Sequence, residues 1–111
     1  MDTIRLADLN NNKYLITREA LKYHPISEVE SSSGVYSGGE AKEIALSAAQ
    51  WQQAQAMAQL IIDHKDTHTE TRQKGTSVLK VSEGLHKQSY VINKSKELDT
   101  LMAYLKKLLE V

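Results

Sequence analysis

Apolar residues in this chain switch between the period of an α-helix and the period of a β-strand, and that switching limits the fold more than any other feature. Near the C-terminus Leu98, Leu101, Met102, Leu105, Leu108 and Leu109 fall at i, i+3, i+4, i+7, i+10 and i+11. They make one apolar stripe, while Lys96, Asp99, Lys106 and Lys107 take the other faces. Ser95 precedes the stripe as an N-cap, Glu97 and Asp99 sit in the electropositive first turn, and Lys106 and Lys107 complement the last turns. The spacing predicts a helix there. An earlier helix is predicted from the N-cap Ser47 to about Lys65, with Ala48, Trp51, Ala54, Met57, Ala58, Ile61 and Ile62 on its apolar side. Because so many of these are alanine, the helix must lie close against a sheet, with Trp51 as its large anchor.

Around the helices the period is two. Residues 77–82 and 85–93 flank Glu83-Gly84, where glycine can take the positive φ of a tight hairpin. Residues 40–46 read as a strand whose Ile44 and Leu46 point inward, and residues 26–33 as an extended piece before the turn at 34–39. From Pro25 the order is strand, strand, helix, strand, strand, helix. The expected fold is a two-layer α+β sandwich, a four-stranded antiparallel sheet with both helices on one face (ββαββα). In the first 24 residues Ile4 and Leu6 alternate, Asn10, Asn11 and Asn12 mark a turn, and residues 14–16 are apolar, which suits an extra hairpin or arm ahead of the 25–111 core. The stretch 17–22 also fits a short helix capped by Thr17, and Pro25 ends whatever precedes it.

At 111 residues the expectation is one domain, spanning the whole chain, with a modest core. With no cysteine, disulfide scaffolds, thiolate metal sites and thiol nucleophiles are excluded. Fourteen Lys+Arg balance 14 Asp+Glu, which argues against nucleic acid or an anionic membrane held by bulk charge. The six aromatics, five Tyr and one Trp, offer no obvious stacking platform. No stretch has the length of a membrane span and the N-terminus has no signal pattern, so a cytoplasmic protein is expected. The neutral total hides a split. Residues 1–70 carry 6 Lys/Arg and 10 Asp/Glu, net −4, and residues 71–111 carry 8 and 4, net +4. Such halves can meet within the fold or across a homodimer, or the basic half can face an acidic partner.

Two strings stand out as candidate binding sites. Ser31, Ser32, Ser33, Gly34, Val35, Tyr36, Ser37, Gly38 and Gly39 combine backbone N–H groups and hydroxyls around one tyrosine, a composition able to line an anion or grip a peptide; it is also what a turn selects. Arg72 and Lys74 share one side of an extended chain, with Gly75, Thr76 and Ser77 beside them, and suit a phosphate or carboxylate or a solvated strand entry. Neither string matches a phosphate-loop or dinucleotide fingerprint, so no cofactor is expected. His64 and His68 would share a face if the helix continued, with Asp63 or Glu70 to complete a metal shell. The zincin spacing requires Glu after the first histidine, however, and Lys65 stands there, so no metal site is expected. There is no Gly-x-Ser-x-Gly elbow for a catalytic serine.

The Gly38-Gly39 turn, the strand leading to a Ser47-capped helix, the strand pair containing Tyr90 and the short closing helix resemble the emfourin-like small proteins over roughly residues 33–110. That resemblance implies an α+β fold and inhibition of thermolysin-type metalloproteases. From the residues themselves, the expectation is a non-enzymatic module that recognises a protein partner or an anionic ligand through Ser31, Ser32, Ser33, Tyr36, Ser37, Gly38 and Gly39 with Arg72 and Lys74, Tyr36 being the contact anchor. The alternative is an enzyme using His64, His68 or a loop serine.

Overall fold

A computed structural model describes residues 1–8, 12–25, 41–70 and 76–109. The first two strands are β1 (Thr3–Ala7) and β2 (Lys13–Thr17), followed by β3 (Ala20–His24) and β4 (Lys42–Ala45). Helix α1 (Ala48–Asp63) and a short 3-10 turn (Lys65–Thr67) lead into β5 (His68–Thr69). Then come β6 (Ser77–Glu83), β7 (His86–Ile92) and helix α2 (Lys96–Leu109). The seven strands form one antiparallel sheet in the order β4-β3-β2-β1-β6-β7-β5.

The α+β class stands, but the four-stranded sheet is overturned. The N-terminal residues expected as an appendage supply three of the strands, and β1 lies mid-sheet between β2 and β6. The reason is burial. Ile4 and Leu6 of β1, Tyr14 and Ile16 of β2, and Leu21 of β3 are all buried, so these strands complete the core the helices need. Residues 17–22 are not a helix. Thr17 Oγ1 accepts the N–H groups of Glu19 at 3.3 Å and Ala20 at 3.2 Å, and this turn folds β3 back on β2 with Ile16 opposite Leu21. The strand expected at 26–33 lies outside the described residues.

Both helices form as their spacing dictates. Ser47 closes a capping box with Gln50, its hydroxyl accepting the Gln50 N–H at 3.1 Å while Gln50 Oε1 accepts the Ser47 N–H at 2.8 Å. Ser95 Oγ caps α2 by accepting the Leu98 N–H at 3.2 Å. Trp51, Ala54, Ala58 and Ile61 of α1 join Leu98, Leu101, Leu105 and Leu109 of α2 in one core with the inward residues of the sheet. Ala54 and Ala58 are buried in that core, and Trp51 is the large α1 residue in it. The β6–β7 hairpin turns at Gly84-Leu85, with Gly84 at φ +59. Among the described residues no helix is long and apolar enough to cross a membrane.

Candidate functional site

All core contacts of the sheet are made from one face, that of Ile4, Leu6, Tyr14, Ile16, Leu21 and Leu79. Alternation sends the intervening residues to the other face, which no described element covers. Strand register arranges that outer face in rows. One row runs Glu43, Lys22, Leu15, Arg5, Lys80, Ser89 across the strands from β4 to β7. The next runs His24, Lys13, Ala7, Val78, Val91, Thr69 from β3 to β5. Lys87, opposite Ser82, adds a further cation.

The charges on these rows are unbalanced. Lys22 Nζ meets Glu43 Oε1 at 3.2 Å and is neutralised. Arg5, Lys13, Lys80 and Lys87 are exposed and have no ion-pair partner among the described residues. Arg5 stands directly opposite Lys80, and Lys13 directly opposite His24. Directly opposed like charges on neighbouring strands destabilise a sheet, so the Arg5–Lys80 pair costs folding energy rather than adding to it. Leu15, Ala7, Val78 and Val91, all half-buried, lie among these cations as an apolar floor.

Two shallow hollows mark the surface. One, of about 330 Å³, is lined by Arg5, Lys13, Leu15, His24, Val78 and Lys80; its neighbour, of about 440 Å³, includes Arg5, Lys80, Lys87 and Ser89. A larger hollow, about 810 Å³, lies at the β2–β3 turn, where Arg18 pairs with Asp2 at 3.7 Å and Lys22 with Glu43. Size alone does not make it the site, since both of its cations, Arg18 and Lys22, are already paired.

Of the residues singled out in the sequence, Ser31, Ser32, Ser33, Tyr36, Ser37, Gly38 and Gly39 lie outside the described residues, as do Arg72 and Lys74. His64 and His68 are described, and each is held by a different partner. Helix α1 ends at Asp63, so the two do not share a helical face. His64 Nδ1 meets Glu97 Oε1 at 3.1 Å, joining the end of α1 to the start of α2. His68 Nε2 donates to the Ile61 carbonyl at 2.9 Å, an oxygen that can only accept, and its ring packs 5.2 Å from that of Tyr90. Both imidazoles thus tie elements together. No metal-ligating cluster forms among the described residues. Glu97 is held below the ordinary carboxylate range by a hydrogen bond to its backbone N–H and then by His64.

Arg5, Lys13, Lys80 and Lys87 come from separate segments and carry no spacing signal. What marks them is parity: each stands on the face of its strand opposite the buried residues. No family model, curated protein or solved structure matches the chain.

Proposed function

We propose that this chain is a small binding module whose outer sheet face, uncovered among the described residues, receives an acidic segment of a partner protein. The observation that carries the reading is the directly opposed Arg5–Lys80 pair, flanked by Lys13 and Lys87, with no carboxylate among them in the described strands. Like charges placed side by side at a cost to stability are relieved when an anion binds between them. The apolar floor of Leu15, Val78 and Val91 favours a protein segment that alternates carboxylates with aliphatic side chains. Nucleic acid fits less well. Tyr14, Tyr23 and Tyr90 all belong to the helix-facing side of the sheet, so among the described residues the cationic face offers a base only the imidazole of His24 and no tyrosine or tryptophan.

The test is an NMR titration with a synthetic peptide alternating glutamate and leucine, its glutamine counterpart and a single-stranded RNA oligonucleotide. The glutamate peptide is expected to shift the amides of Arg5, Lys13, Leu15, Val78 and Lys80, with affinity that falls as salt rises. Arg5→Glu combined with Lys80→Glu should weaken it at least about tenfold. Equal binding of the glutamine peptide, shifts confined to the helices, or preference for the oligonucleotide would each overturn the reading.

A further inference from the structure

The four exposed cations of the outer face that have no ion-pair partner among the described residues fall on one oblique line. Lys87 of β7 stands in the row of Ser82 and Thr3, Lys80 and Arg5 stand side by side in the next row, and Lys13 of β2 stands in the row beyond, with Ala7 and Val78. Strands lie about 4.8 Å apart, and every second residue along a strand advances about 6.8 Å. From Lys13 to Lys87 is three strands and two rows, about 20 Å at the backbone, with successive cations about 8, 5 and 8 Å apart. Their mean spacing, about 7 Å, is that of alternate residues in an extended chain. The two flanks of the line differ in chemistry. Ala7, Val78 and Val91 border it on one side, Leu15 and the hydroxyls of Thr3 and Ser82 on the other, and neither flank carries a carboxylate in the described strands.

We propose that the acidic segment is extended, about seven residues long with a carboxylate at every second position, and lies along this line from Lys13 to Lys87, oblique to the strands. The inference deepens the acidic-segment reading of this face and rests on it. Six steps of about 3.4 Å cover the distance, so the first, third, fifth and seventh residues present four carboxylates to four cations. Side chains of an extended chain alternate, so the intervening aliphatic groups turn to the flank of Ala7, Val78 and Val91. The carboxylates turn to the other flank, where the hydroxyls of Thr3 and Ser82 donate to them and the long stems of Arg5, Lys80 and Lys87 let the charged ends follow. A helical segment matches less well. Four carboxylates spaced i, i+4 on one helix face repel one another and destabilise the helix before it binds.

The test is an NMR titration at low ionic strength with acetylated and amidated peptides that alternate glutamate and leucine, begin and end on glutamate, and run to three, five, seven and eleven residues. Each added glutamate up to the seventh residue should tighten binding roughly two- to fivefold, and the step from seven to eleven should add less than about twofold. A seven-residue peptide of the same composition with its four glutamates together should bind at least about threefold more weakly than the alternating one. Lys13→Gln and Lys87→Gln, at opposite ends of the line, should each weaken the alternating seven-residue peptide roughly two- to fivefold. Lys22→Gln removes the same charge from a lysine already paired with Glu43 and should change affinity by less than about 1.5-fold. Equal affinity for the two seven-residue peptides, undiminished gain from seven to eleven residues, or equal losses at Lys13, Lys22 and Lys87 would overturn the oblique extended arrangement and leave the acidic-segment reading standing. Failure of every acidic peptide to bind would overturn both. The peptide comparisons use the unaltered chain, so they decide even where a variant does not fold.

Discussion

Reversing one charge on the outer face should stabilise the fold while weakening the binding proposed for it. Lys80 stands opposite Arg5, on adjacent strands at the centre of the sheet. Directly opposed side chains lie about 5 Å apart at Cβ, and a favourable or unfavourable charge pair there is worth roughly 0.2–1 kcal/mol. Lys80→Glu replaces repulsion with attraction. The swing is therefore about twice the single term, roughly 0.4–2 kcal/mol, with little change in strand propensity because lysine and glutamate are both mildly disfavoured. For a domain of this length that corresponds to a rise in Tm of about 2–8 °C. Thermal unfolding followed by circular dichroism at low ionic strength measures it, with Lys80→Gln expected to show about half the gain. At about 1 M salt, where the screening length falls to roughly 3 Å, the gain should largely vanish. A variant no more stable than the parent at low salt, or one whose gain survives high salt unchanged, would refute the electrostatic reasoning. A stabilised variant that still binds the acidic peptide would instead separate the charge pair from the function.

Two further perturbations test the frame around that face. Gly84 adopts φ +59 with nothing within 4 Å of an added Cβ, so Gly84→Ala should cost backbone strain alone, about 1–2 kcal/mol by urea unfolding; an unchanged midpoint would mean the turn relaxes freely. Glu97 has its pKa lowered in the folded chain from the ordinary 4.5, so its contribution is complete above that value and is lost as pH falls through the lower folded one. The stability gap between the parent and Glu97→Gln should therefore be present near pH 6 and shrink toward pH 3, and a gap independent of pH would remove the carboxylate from the account.

Both helices could be read from the sequence because their determinants are local: stripe, cap and terminal charges lie within a few turns of one another. Residues 17–22 show the limit of local reading. A threonine hydroxyl accepting the N–H groups two and three residues on is the bond of a helix N-cap and equally that of the turn seen here, where Thr17 accepts from Glu19 and Ala20. What decides between them is the pairing of Ile16 with Leu21 and the burial of both, a property of the sheet. The same holds for the mid-sheet position of β1. Ile4 finds Val81 far along the chain, and nothing near Ile4 announces that partner. The cationic face was hidden for this reason too. Dividing the charges at residue 70 separates Arg5 and Lys13 from Lys80 and Lys87, whereas the register of β1 with β6 places Arg5 and Lys80 side by side.

Two helices packed at the usual 8–10 Å spacing cover about 20 Å, whereas seven strands at about 4.8 Å spacing span about 29 Å, so the helix layer is narrower than the sheet it covers. The shortfall appears on β7, where residues 86–89 are all exposed although alternation turns His86 and Gln88 toward the helix side.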